Sequence, residues 1–174
     1  MNTSDTINIR SIEESDYAVL LDLYNREENM RYIPGNINKL SDKEKMARWK
    51  RNQAKYISQA GIFIATEKES NQVIGEIALF DSFNSSECME IGIILDLNYW
   101  GKGYGYLVTY KICKDAFKER SLQSIIARMY KENKRSIQLM EKIGFSRNSE
   151  DVDKDGKTFY TYKLTTNDFN ETED

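Results

Sequence analysis

Three of the chain's nine glycines fall within seven consecutive residues, Tyr99-Trp100-Gly101-Lys102-Gly103-Tyr104-Gly105. The segment lies between an apolar run and a stretch of helical periodicity. A glycine-rich turn at a helix start leaves several backbone N–H groups without an intrahelical partner, and the helix dipole adds roughly half a positive charge there. Such a turn is preorganised for phosphate oxygens, and Lys102 adds a full charge. The alternative is a tight turn whose glycines only permit positive φ angles. Two other phosphate loops are excluded by spacing. The segment lacks Gly-x-x-x-x-Gly-Lys-Ser/Thr, and Gly101, Gly103 and then Tyr106 break the Gly-x-Gly-x-x-Gly dinucleotide pattern.

The residue types that are absent narrow the chemistry further. With no histidine in the sequence, an imidazole base is excluded, and with it the Ser-His-Asp and Cys-His arrangements and any histidine-ligated metal. Cys88 and Cys113 match no zinc or redox spacing and read as free thiols in a reducing compartment. No metal is expected. Proton transfer must then fall to a carboxylate, a tyrosine or a water held by one.

These residues need a scaffold. The chain has 174 residues, 40% hydrophobic and 30% charged, enough for one packed domain. We expect a single domain over residues 1–166 and an acidic tail over 167–174. No window approaches the roughly 18 uninterrupted apolar residues of a membrane span, and the N-terminus has no signal pattern, so a cytoplasmic protein is expected. Twenty-five basic against 28 acidic residues give a net charge of −3, which speaks against nucleic acid or a lipid surface as partner.

Along the chain, Ile7 to Arg10 alternate like a strand, and Ser11 and Glu14 have capping-box spacing ahead of a helix carrying Tyr17, Leu20, Leu21 and Tyr24 on one face. That helix should break at Pro34-Gly35. A second helix, opened by Ser41 with Glu44, is expected to run to about Gln59, with Met46, Trp49, Tyr56 and Ile57 as its apolar positions. Three strands follow, Gly61 to Thr66, Val73 to Phe80 and Met89 to Leu95, reading as an antiparallel meander. Then come a helix over 103–120, a strand over 124–130, a helix over 133–143 closed by Gly144, and a strand pair turning at Asp155-Gly156. The order predicts an α+β domain, layered α/β/α, around a mixed, mostly antiparallel sheet of six to seven strands with helices on both faces.

Glu90 to Asn98, leading into the glycine segment, resembles the signature motif of the GNAT-type N-acetyltransferase superfamily. Glu132-Asn133-Lys134-Arg135-Ser136, continuing to Lys142-Ile143-Gly144-Phe145, is similar to that family's second motif, in the family's order. The resemblance spans about residues 7–165. Trp100 stands where Gln or Arg is usual, a form typical of the subgroup resembling ribosomal-protein N-terminal acetyltransferases. Met140 stands where many relatives carry a tyrosine that protonates the departing thiolate, and a thioether cannot donate a proton. Ser136 is the substitute candidate, with water or no acid as rivals and helix capping as its other role.

The resemblance implies acetyl-CoA as co-substrate, a sheet splayed between the fourth and fifth strands, and direct attack by an amine in a ternary complex. The main chain of Ile93 and Leu95 would pair with the pantetheine amides, and an N–H around Ile94 would polarise the acetyl carbonyl. Backbone amides of Lys102, Gly103, Tyr104, Gly105 and Tyr106 would take the pyrophosphate and Asn133 would hydrogen-bond the pantetheine arm, with Trp100, Gly101 and Ser136 also expected to bind the cofactor. Lys131, Lys134 and Arg135 could approach the 3′-phosphate or simply be solvated. Glu90 is the first candidate base, Glu76 the second and Glu87 the third. The acceptor, a protein or peptide N-terminus or a small amine, should sit among residues 24–37, the strand ends from Glu76 to Phe83 and the hairpin from Asp153 to Tyr160, which offer Glu27, Glu28, Asp81, Asp153 and several aromatics. The chain should act as a monomer or homodimer. A catalytically silent acyl-CoA sensor is the alternative, suggested by Met140, and a purely structural domain is a third.

Overall fold

The computed structural model describes residues 6–35, 37–56, 58–81 and 87–169. Ile57, Phe83, most of the turn after Asp81 and the last five residues of the expected tail lie outside them. Seven strands form one sheet in the order β1-β2-β3-β4-β5-β7-β6. They are β1 (Ile7–Ser11), β2 (Gly61–Glu67), β3 (Val73–Phe80), β4 (Cys88–Leu95), β5 (Ser124–Tyr130), β6 (Ser146–Val152) and β7 (Thr158–Thr165). Every neighbouring pair is antiparallel except β4 with β5. The helices are α1 (Tyr17–Asn25), the short α2 (Glu27–Met30), α3 (Asp42–Asn52), α4 (Tyr104–Arg120) and α5 (Lys134–Ile143). Among the described residues no helix is long and apolar enough to cross a membrane.

β2 and β3 are covered on both faces, so their side chains are mostly apolar instead of alternating with polar ones, and Glu76 is the buried charged exception. Ile62 and Ile64 point to the face of α1 and α3, where they pack with Leu20, Tyr24 and Trp49. Phe63 and Ala65 point to the face of α4 and α5, with Val108, Ile112, Ile137 and Met140. β6 is the exception. All but one of its residues are exposed, and it forms the outer edge beyond β7.

Several local expectations hold. Ser41 caps α3 reciprocally with Glu44, Gly144 adopts the left-handed conformation that ends α5, and Gly156 (φ +77°) turns the β6–β7 hairpin. Three differ. Ser11 is no cap: its hydroxyl donates to the Ala54 carbonyl, and Asp16 instead accepts from the Glu13 N–H while holding Arg10 through both carboxylate oxygens. The first helix breaks at Arg26, whose extended backbone separates α1 from α2 before the proline is reached. α3 stops at Asn52, because Gln53 turns extended, bridges to Ile62 and donates to the Ile12 carbonyl. Tyr56 therefore leaves the helix and packs edge-on against Phe63, its hydroxyl on Asp115 of α4.

Candidate active site

β4 and β5 are paired only over Cys88–Ile91 and Ser124–Ala127. Past Ile91 the two strands part. The Asp96 N–H donates to Ile74 of β3, which sets the phase of the antiparallel ladder: Ile94 and Gly92 bond toward β3, while Ile93 and Leu95 turn their main-chain groups into the gap. A Cβ on Gly75 would collide with the Ile94 carbonyl oxygen, consistent with that phase. The amide of Ile94 is thus committed to β3, and the N–H groups of β4 that face the gap are those of Ile93 and Leu95. The side chain of Ile94 packs on the α1–α3 face.

At the mouth of the gap, Gly101 (φ +74°) and Gly103 (φ +88°) adopt left-handed conformations, and a Cβ on either would meet open space. Gly103 is the N-cap of α4, and no side chain caps the helix. The amides of Tyr104, Gly105 and Tyr106 therefore lack intrahelical partners. Gly105 packs against Leu139 of α5 and Leu95 of β4, closer than a larger residue allows. Trp100 braces the turn from behind: its indole N–H donates to the Leu95 carbonyl at 2.9 Å, and Arg135 of α5 lies 4.7 Å over its ring. Leu95 thus offers a ligand its N–H and only one carbonyl lone pair. Lys102 is exposed and does not line the cleft, and the Tyr104 side chain turns away to Glu67. If these two contribute, it is through their amides.

The opening is one cleft of about 740 Å³ that collects Glu76, Glu90, Ile93, Ile94, Leu95, Trp100, Gly101, Gly103, Gly105, Tyr106, Asn133 and Ser136. Asn133 caps α5, its side-chain oxygen accepting from the Ser136 N–H. Capping thus falls to Asn133, and the Ser136 hydroxyl has no hydrogen-bond partner among the described residues. Met140 is 4% exposed and seals the wall beside them.

The far half of the cleft is made of side chains. Glu76 is 2% exposed. Its oxygens accept from the Tyr24 hydroxyl (2.7 and 2.8 Å), the Trp49 indole (2.8 Å) and Arg48 (3.3 Å). Burial pushes this carboxyl above its ordinary value, opposed by Arg48 and the donated bonds. Burial and the facing carboxylate push the Tyr24 phenol up as well. Glu90 sits two residues from Gly92 on the same face and is held by Arg128 through both oxygens. Glu87 stands at the zipped end of β4 and does not line the cleft.

The remaining wall comes from Glu28, Asn29, Arg31, Tyr32, Ile33, Pro34 and Ile37. α2 is tied to the end of β4 by Arg26 on Asp96 and by Asn29, which accepts from the Leu97 N–H. The hairpin from Asp153 to Tyr160 is absent from this wall, contrary to expectation. Asp153 instead organises its own turn, accepting from the amides of Asp155 and Lys157 and from the Tyr130 hydroxyl. Glu27 and Asp81 likewise lie outside the lining. Sequence reasoning missed Tyr24, Arg48, Trp49 and Arg128, since only a polar residue inside the apolar run of β3 hinted that Glu76 needs buried partners. No metal-binding cluster occurs among the described residues.

Comparison with known proteins places this arrangement. The "Acetyltransferase (GNAT) domain" family matches residues 6–146. The chain is 28% identical to the uncharacterized N-acetyltransferase YnaD of Bacillus subtilis (strain 168) over 145 residues, covering 83% of this chain and 82% of YnaD. The crystal structure of a GNAT-family acetyltransferase from Bacillus anthracis superposes with a TM-score of 0.80 at 24% identity, covering 92% of this chain and 95% of that one. The spermidine N-acetyltransferase from Vibrio cholerae, solved with CoA and spermine, does so with a TM-score of 0.81 at 17% identity, covering 94% and 97%. A seven-stranded sheet parted between β4 and β5, a bare helix mouth at its opening and a family match over most of its length converge: the chain belongs to the GNAT acetyltransferase domain family and is an acyltransferase that uses acetyl-CoA.

Proposed function

We propose that the chain moves the acetyl group of acetyl-CoA to a primary amine by direct attack in a ternary complex. The observation that carries this reading is the continuity of one cleft from the uncapped amides of α4, along the free main chain of Ile93 and Leu95, to the carboxylates Glu90 and Glu76. In that order the pyrophosphate sits at the helix mouth, the pantetheine arm runs in the gap as an added strand, and the thioester reaches the face shared by both acids. An N–H of Ile93 or Leu95 polarises the acetyl carbonyl, an effect worth about 3 to 4 kcal/mol in other enzymes.

The amine must arrive unprotonated. An alkylammonium costs roughly 4 to 5 kcal/mol to deprotonate at pH 7, whereas an α-amino group costs about 1 to 2 kcal/mol. Glu90 is the first base, because it lines the cleft and its side chain is 20% exposed against 3% for Glu76. Its pairing with Arg128 keeps the carboxylate ionised and oriented, to act on the amine directly or through a water. Ser136, with its uncommitted hydroxyl, is positioned to protonate the thiolate. A thiol of pKa near 8.5 is a good leaving group even without an acid, so Met140 does not argue for a silent sensor. Trp100, braced on Leu95, supports placement in the subgroup resembling ribosomal-protein N-terminal acetyltransferases.

The test is a pair of measurements on purified protein. Calorimetry is expected to show sub-millimolar binding of acetyl-CoA. Thiol release across a panel of amines and N-terminal peptides, with the product identified by an acetyl mass shift, is expected to find an acceptor. Tight binding with no turnover on any acceptor would return the sensor.

A further inference from the structure

We propose that the acceptor amine also carries a carboxylate, and that this carboxylate docks on the outward-facing donors of Arg48. The inference rests on the acetyl-transfer reading and narrows its acceptor. Arg48 stands on α3 at the acceptor end of the cleft, its side chain 17% exposed. Only Nη1 is engaged, on the Tyr24 hydroxyl (2.9 Å) and on Glu76. Among the described residues Nε and Nη2 have no hydrogen-bond partner and neither is a buried orphan, so both keep solvent access on a residue that lines the cleft. Tyr24 and Glu76 fix one side of a planar fork that matches a carboxylate on the other. Around it the walls are apolar, formed by Ile33, Ile37 and Phe80.

The balance of charge speaks against a polycation. Both deep acids carry a guanidinium, Glu76 that of Arg48 and Glu90 that of Arg128, and the rim adds one acid, Glu28, and one base, Arg31. A polyamine needs carboxylates that are not already neutralised, and among the described residues the deep cleft holds none. A peptide N-terminus offers the fork only a neutral carbonyl. A single anionic group beside the amine satisfies it, with a charge-assisted bond in a weakly solvated setting.

Turnover with saturating acetyl-CoA is measured on matched acceptors: leucine against leucinamide, 4-aminobutyrate against 4-aminobutanamide, and spermidine. The acid of at least one pair is expected to exceed its amide in kcat/KM by about ten- to hundredfold, and spermidine to fall below it. Leucinamide has the less basic amine, so ionisation of the amine works against the expected order. Arg48→Met should bring the ratio close to one, and Arg48→Lys should restore part of it. Because Arg48→Met strands a buried carboxylate, the double variant Arg48→Met/Glu76→Gln is measured alongside, with calorimetry of acetyl-CoA to show that each variant holds the donor. Equal rates for acid and amide in both pairs, or spermidine as the best acceptor, would overturn the carboxylate while leaving acetyl transfer standing. Failure to bind acetyl-CoA, or no thiol release with any acceptor, would overturn both.

Discussion

The two halves of the cleft are built from different materials. The donor half is main chain: the amides opening α4, the parted edge of β4, and glycines at Gly101 and Gly103 whose side faces meet open space. The acceptor half is side chain: a carboxylate in an apolar strand, held by a phenol, an indole and a guanidinium drawn from two helices. Main chain is the same for every sequence, so a donor site made of it demands only that the backbone be bent and left bare. A site made of side chains can change its ligand by changing residues. The arrangement suits a protein that shares its donor with its relatives and need not share their acceptor.

That contrast can be attacked from either side, and the largest effect should come from the side-chain half. Glu76→Ala leaves the Tyr24 hydroxyl, the Trp49 indole and the Arg48 charge facing a void, and is expected to lower unfolding free energy by about 3 to 5 kcal/mol in a denaturant titration. On the donor side, Gly103→Asp places a side chain on a backbone at φ +88° and sets a negative charge where phosphate belongs. Acetyl-CoA affinity should drop by about a hundredfold or more in calorimetry, with little change in the unfolding midpoint. Glu90→Gln should reduce kcat by about ten- to a hundredfold while moving the KM for acetyl-CoA much less, and an unchanged kcat across pH would retire Glu90 as base.

The smallest expected effect lies outside both halves. The Asp153 carboxyl is held below its ordinary value by the Lys157 amide and the Tyr130 hydroxyl, and the same bond pushes the Tyr130 phenol up to about 12. A depressed carboxyl contributes stability above its unfolded value of about 3.9 and loses it as pH falls through the folded one. Asp153→Asn should therefore flatten the decline of thermal stability below about pH 4 without altering acetyl transfer. A change in acceptor preference would put the hairpin back in the cleft wall.

The same division explains what could be read from residue order. Gly101 and Gly103, the Ser41–Glu44 cap and Gly144 announce their conformations within a few neighbouring residues, and each was legible because its physics is local. The end of α3 was not, since Gln53 breaks the helix by bonding to Ile12 and Ile62, and no proline or glycine marks the place. Arg48 and Tyr24 escaped notice for a related reason. They lie 28 and 52 residues from Glu76, and only the packing of two helices on one sheet face brings them together. The phase of β4 was half legible: alternation fixes which residues share a side, but which side meets the gap depends on one bond, from Asp96 to Ile74.

β6 is one of the sheet's two outer strands, and its rim and the interior gap are guarded differently. The rim carries Arg147, Glu150 and Asp151, exposed on a strand of seven residues. Charges there repel any foreign segment that tries to zip on and seed an aggregate. Along the parted edge of β4 the interior opening has no such fence, its strand carrying Ile93, Ile94 and Leu95. An extended molecule with amide groups of its own is therefore turned away at the border of the sheet and admitted at its centre.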